Sequence, residues 1–215
     1  MPDGRLVIGT KRYSSWSLRG WLAVHLAALD VEEQVIPIAG GRTEAIARAT
    51  PNGLVPYLEH RGARIWESLA IGEYCAEHRP GLWPSDPVAR AAARSVASEM
   101  HGGFRALRIA MPMNCGRQAR RLAGGIPDEA AADIARIEAI WSEAASPYLY
   151  GEAFGIADAM FAPVVSRLLS YDVPLGEPAS TYRDRIRAHP LMQRWYDEAA
   201  REPAAWLLDR YESVA

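Results

Sequence analysis

Cysteine is nearly absent from these 215 residues: Cys75 and Cys115 are the whole supply. Two thiols far apart in sequence, with no CxxC, neither staple a fold nor make a dithiol redox pair, and a reducing cytoplasm is the setting they fit. Lysine is scarcer still, with Lys11 alone, so the basic character is almost entirely arginine. No glycine-rich phosphate loop is present; the Gly-Gly pairs at 40–41 and 124–125 read as turns. His25, His60, His78, His101 and His189 are scattered without zinc-ligand spacing, which predicts no metal. No run approaches the ~18–20 apolar residues of a membrane span. The start, MPDGRLV, lacks a basic region followed by a long apolar stretch, so no secretory signal and a cytoplasmic location are expected. A net charge of −2 gives no reason to expect nucleic acid as a partner. What remains is an ordinary globular balance, 49% hydrophobic and 23% charged.

The patterning changes character part-way along. Residues 5–9 read as a short buried strand, and residues 15–29 as a helix with Leu18, Leu22, Leu26 and Leu29 at helical spacing. QVIPI (34–38) reads as a second strand and 42–49 as a short helix. Val55–Glu59 and Ala63–Trp66 flank a tight Arg61-Gly62 turn and so pair antiparallel. A helix follows over 68–78. The order βαβαββα, with a right-handed crossover, predicts a four-stranded mixed sheet with helices on both faces. RPGLWPSDP (79–87) reads as a linker, after which strand signals nearly vanish. Helices are predicted from Pro87 to about Ala110, with a stripe through Ala92, Val96, Met100, Gly103, Leu107 and Met111, then over 127–145 and 156–169, and finally two short ones broken at Pro190. Pro163 lies past the first turn of its helix and predicts a kink.

Four stretches carry chemistry. RYSSWSLRGW (12–21) places three serines where a strand hands over to a helix; TPNGLVPYLE (50–59) is a turn followed by a strand; WESLAIGEYCAE (66–77) opens a helix with Glu67-Ser68; GEAFGIADAMFAPVVSRL (151–168) is an intensely apolar helix with one early Asp158. In this order and spacing the chain resembles the cytosolic glutathione transferases, and its serine turn resembles that of the tau, phi and zeta classes. The resemblance implies an α/β plus all-α fold: a thioredoxin-like glutathione-binding domain over 1–79, a linker over 80–86, and an all-helical bundle over 87–215 that forms the second-substrate pocket.

It also implies glutathione as co-substrate and a small hydrophobic electrophile as the second partner. A thiol of pKa ~8.5 is only a few per cent ionised at neutral pH, and only the thiolate attacks. Lowering that value by two units takes about 2.7 kcal/mol. A hydroxyl hydrogen bond to a charged acceptor supplies roughly 1.5–3 kcal/mol and a helix N-terminus roughly 0.3–1 kcal/mol more. By the resemblance Ser14 stands at the sulfur, with Ser15 in reserve, Tyr13 a rival and Ser17 bonding back to the backbone. Pro56 would be cis, turning the Val55 backbone outward to pair with glutathione. Glu67 and Ser68 would hold its γ-glutamyl end. Met100, His101, Phe104, Arg108 and Met111 would border the second-substrate pocket, where Met and Phe suit apolar electrophiles.

There are departures. Leu54 stands just before Val-Pro, where the family often has glutamine or a basic residue for the glycine end; Lys11, Arg12 and Arg42 are the candidates to replace it. Gly155 stands three residues before Asp158 where Ser or Thr is usual, which makes Asp158 a folding residue. Trp16 replaces the cysteine of the zeta turn. Three readings follow: a glutathione transferase acting on small apolar electrophiles, a zeta-like isomerase of maleyl-type substrates, and a non-catalytic binding protein of the same fold. A homodimer is expected on each.

Overall fold

The computed structural model describes residues 1–144 and 146–214. Its N-terminal domain is a four-stranded mixed sheet built from β1 (Gly4–Gly9), β2 (Glu32–Ile36), β3 (Tyr57–His60) and β4 (Ala63–Trp66) in the order β2-β1-β3-β4. β1 and β2 run parallel; β1–β3 and β3–β4 run antiparallel. The strand period of two sorts β1 between faces. Leu6 and Ile8 join the main core with α1 (Ser15–Leu26) and α3 (Ser68–His78), while Val7 meets Ile36, Ile46 and Tyr57 under α2 (Glu44–Ala49) on the other side. α1 stops at Leu26, short of the predicted end, because Ala28 turns left-handed with φ 53°.

The C-terminal domain is helical: α4 (Pro87–Gly102), α5 (Arg105–Ala110), α6 (Asp128–Ser142), α7 (Ile156–Ser170), α8 (Glu177–Ala188), α9 (Pro190–Ala200) and the short α10 (Asp209–Glu212). Asp86 caps α4 through the Ala89 amide at 2.7 Å, with Pro87 at the first helical position. Ala145, the predicted end of the third of these helices, and Ala215 lie outside the described residues.

The single long helix expected from Pro87 to about Ala110 is two helices. A Cβ at Gly103 would sit 2.7 Å from the Glu99 carbonyl, and Phe104 adopts φ 57°, ψ 41°. That left-handed residue breaks the axis, and the Asp133 carboxylate then accepts the Leu107 amide at 2.9 Å near the start of α5. The buried stripe of α4 runs through Ala93, Ala97 and Met100 rather than through the expected Ala92 and Val96.

α7 runs unbroken through Pro163 at the centre of the molecule and packs on α1, α4 and α8. Gly155 serves its N-terminus without a side chain. The Ile156 amide donates to the Leu82 carbonyl at 3.0 Å, and a Cβ on Gly155 would lie 2.9 Å from that same oxygen. Asp158 Oδ2 accepts the Gly155 amide at 2.8 Å, while Oδ1 accepts the Leu149 amide at 3.1 Å and the Tyr182 hydroxyl at 2.9 Å. One buried carboxylate thus ties α7, the preceding loop and α8 together.

Candidate active site

Ser14 is the N-cap of α1. Its Oγ accepts the Ser17 amide at 3.3 Å and lies 2.8 Å from Ser17 Oγ, which in turn accepts the Gly9 amide at 2.9 Å. The end of β1 and the first turn of α1 are therefore joined by a chain of two hydroxyls. Ser17 is fully buried; Ser14 and Ser15 reach a cleft of about 620 Å³. Ser17→Ala strands the buried Gly9 amide and should lower unfolding stability by about 1–3 kcal/mol, read from the denaturant midpoint.

Tyr13 also borders the cleft, but its hydroxyl donates to Glu212 at 2.5 Å and accepts the Leu208 amide at 3.2 Å. Burial pushes this phenol up to about 12. Ser15 Oγ accepts from Arg167 Nη2 at 3.2 Å. Of the three serines and one tyrosine, Ser14 is the hydroxyl at the helix mouth that no charged group holds.

Beside the cleft is a smaller cavity of about 280 Å³, walled by Leu54, Val55, Pro56, Glu67 and Ser68. The Val55-Pro56 bond is cis, and Pro56 packs so closely on α1 that a Cβ at Gly20 would meet its ring at 2.8 Å. Glu67 has φ 68° and sits 3.6 Å from His101 Nε2. Ser68 opens α3, and its buried hydroxyl has no hydrogen-bond partner. Trp16 lies between the two cavities and lines both.

The residues expected around the second pocket divide. Arg108 faces the cleft, and His101 lies half-buried between Glu67 and the Trp16 ring. Met100, Phe104 and Met111 do not line it: both methionines are fully buried and Phe104 nearly so, all in the main core. The break at Phe104 rotates α5, so Arg108, Ile109 and Pro112 form that wall instead. Sequence reasoning missed Arg167 and the C-terminal Tyr211 and Val214, which also line the cleft. Arg167 carried a signal, being the one basic residue in the apolar run of α7; the C-terminal pair carried none.

Two candidates for the glycine end are committed elsewhere. Lys11 pairs with Glu33 and Glu198, and Arg12 with Glu212 at 2.9 Å. Arg42 is exposed and lies against Gly53, while Arg210 reaches the Gly40 carbonyl at the cleft rim.

Cys75 is fully buried in α3, and desolvation pushes its thiol up to about 12. It should resist an aromatic disulfide reagent until the protein unfolds; stoichiometric labelling of native Cys75 at mildly alkaline pH would contradict that.

Residues 13–78 match the family model "Glutathione S-transferase, N-terminal domain", and residues 117–198 match "Glutathione S-transferase, C-terminal domain". The maleylacetoacetate isomerase of Rhizobium meliloti is 32% identical over 179 residues, 76% of this chain and 81% of that protein. The maleylacetoacetate isomerase of Rattus norvegicus is 29% identical over 184 residues, 82% and 84% of the two chains. Among solved structures, a glutathione transferase homolog from Burkholderia with bound glutathione superposes with a TM-score of 0.71 at 20% identity, covering 93% of this chain and 100% of that one. A theta class enzyme from Xanthomonas axonopodis pv. citri, with glutathione bound, gives a TM-score of 0.67 at 22% identity over 91% and 98%. Two family models in chain order, a relative at 32% identity across most of both lengths and the shared two-domain fold place this chain in the glutathione S-transferase family.

Proposed function

We propose that the cleft binds glutathione and that Ser14 ionises its thiol for attack on an electrophilic carbon. The observation that carries this is the paired hydroxyl chain at the mouth of α1. Ser17 Oγ already accepts the Gly9 amide. A hydroxyl rotates freely, so the Ser17 proton can turn onto Ser14 Oγ. Ser14 then has both lone pairs engaged, by Ser17 Oγ–H and the Ser17 amide, and its own proton is directed to the sulfur. Successive donors in one line polarise each other. The dipole of α1 adds a positive end at the same point.

The rest of the peptide follows from the surrounding groups. The unpartnered Ser68 hydroxyl and the start of α3 suit the γ-glutamyl carboxylate, and exposed Glu67 its amino group. The Val55 backbone, turned by the cis bond, meets the central peptide. Arg42 beside Gly53 and Arg210 at the rim are two cations for the glycine carboxylate, with Leu54 in the same wall supplying only apolar contact. Retention on immobilised glutathione, eluted by free glutathione, tests this reading; failure to bind overturns it.

In conjugation the thiolate forms a carbon–sulfur bond and a leaving group departs with its electron pair. A second reading is isomerisation, favoured by the relatives from Rhizobium meliloti and Rattus norvegicus. There the thiolate adds to a conjugated cis double bond, the resulting single bond rotates, and the same sulfur leaves. Turnover of a cis-enedioate without net loss of glutathione is its signature; stoichiometric consumption of glutathione excludes it for that substrate.

The active form is a homodimer on this reading. Light scattering at micromolar concentration should give twice the 23.7 kDa of the chain, and a stable monomer would refute the dimer.

A further inference from the structure

Three guanidinium groups gather around the serine turn. Arg167 on α7 is buried; its Nη2 donates to Ser15 Oγ at 3.2 Å, its Nε to the Met111 carbonyl at 2.9 Å and its Nη1 to the Pro163 carbonyl at 3.2 Å. Arg108 on α5 lies over Trp16, with Cζ 4.7 Å from the ring centroid. Its Nη2 serves the carbonyls of Met100 and His101, and its buried Nε has no partner. Arg19 on α1 lies over the same ring at 4.6 Å, gives Nε to the Met160 carbonyl at 2.8 Å, and leaves both Nη atoms buried without partners.

Among the described residues no Asp or Glu side chain answers this charge. Among the described residues none of the three arginines makes an ion pair, and no Asp or Glu lines the cleft. Asp133, the acid whose field reaches Arg108, has its oxygen on the Leu107 amide. Burying a guanidinium without a counter-charge is costly, and three together also repel one another. Desolvation, together with the neighbouring guanidiniums, pulls the Arg19 and Arg167 pKa values down. Arg108 and Arg167 open onto the cleft, so a ligand can supply the missing charge there.

Glutathione has other partners for its own charges: Ser68 and Glu67 across Trp16, Arg42 and Arg210 at the rim, and Ser14 for the sulfur. Arg108 and Arg167 belong to the opposite, helical wall, on α5 and α7. We infer that this pair binds a carboxylate of the second substrate, so that the electrophile this chain prefers is an acid rather than the neutral apolar molecule expected from Met and Phe. The inference rests on the glutathione-thiolate reading of the cleft. A carboxylate beside the reacting carbon would repel the incoming thiolate; two guanidiniums hold it and offset that repulsion. Ile109 and Pro112 then pack the apolar remainder.

The probes are 4-chloro-3-nitrobenzoate and its neutral isostere 4-chloro-3-nitrobenzamide. In both, the thiolate sulfur bonds to the ring carbon and chloride leaves with the electron pair. Relative to the enzyme-free reaction, the wild-type ratio of kcat/KM should favour the benzoate. Arg108→Gln should lower that ratio about tenfold or more, mainly through the KM of the benzoate, and Arg108→Lys should recover part of it. Equal losses on both probes, or a fall in glutathione affinity instead, would assign the guanidinium to glutathione and overturn the inference. A second arm needs no turnover: calorimetric titration of 3-nitrobenzoate and 3-nitrobenzamide into protein saturated with S-methylglutathione. Preference for the acid that disappears in Arg108→Gln supports the inference; no preference in the wild type overturns it. Failure of S-methylglutathione to bind would instead count against the glutathione reading, and the acid-over-amide comparison still decides the arginine pair in its absence.

Discussion

Replacing Ser14 by alanine is expected to raise the pKa of bound glutathione by about 1–2 units, the worth of one charge-assisted hydrogen bond. For a bound thiol between about 6.5 and 7.5, a rise of about 1–2 units cuts the thiolate fraction at pH 7 by about threefold to about seventyfold, and kcat/KM should fall by the same factor. Affinity for glutathione should change little, because on the proposed reading its two ends are held by groups on α3, on the Val55 segment and at the Gly40 rim rather than by Ser14. The variant also loses the cap of α1, which costs about 1 kcal/mol of stability. Ser15→Ala should shift the thiol less, since Ser15 accepts from Arg167, and Tyr13→Phe less still, since that phenol donates to Glu212. The thiolate absorbance of each variant, titrated with pH, ranks the three. Ser14→Ala titrating like the wild type while another variant shifts would remove Ser14 from the mechanism.

Asp158→Ala should be the most damaging substitution outside the cleft. It deletes a buried carboxylate that receives two backbone amides and the Tyr182 hydroxyl, and leaves three donors without acceptors. A loss of about 3–5 kcal/mol is expected, out of a total stability on the order of 5–15 kcal/mol. Asp158→Asn should recover only part, because its amide NH₂ presents a donor to a donor. Denaturant midpoints at unchanged slope measure both variants. A shift under 1 kcal/mol for the alanine variant would mean that the site relaxes or admits water, and that Asp158 does not hold α7 and α8 together.

The fold was legible where local pattern and tertiary role agree. The hairpin around Arg61-Gly62 and the helix over 68–78 follow from turn chemistry and periodicity, and the structure has both as β3, β4 and α3. The break between α4 and α5 was not legible: periodicity continues across Gly103, and nothing in a phenylalanine announces φ 57°. Beyond that turn α5 lays Leu107 and Met111 in the core and Arg108 along the cleft, while Met100 is buried on α4 before it. The serine turn could be quoted from the sequence, but its wiring could not, because Ser17 meets Gly9 only after β1 and α1 pack. The arginine cluster draws on positions 19, 108 and 167, separated by whole helices. Its chemistry is visible only in three dimensions: Arg108 and Arg167 line the cleft, where Met100, Phe104 and Met111 do not.

The proposed chemistry depends on glutathione being bound and ionised by this cleft. The most direct measurement is the ultraviolet thiolate absorbance of glutathione bound to the wild-type protein, followed across pH. The predicted midpoint lies at least about one unit below the ~8.5 of a free thiol, and the absorbance disappears when S-methylglutathione occupies the site. Binding with a midpoint no lower than that of free glutathione, or no binding, would contradict the account.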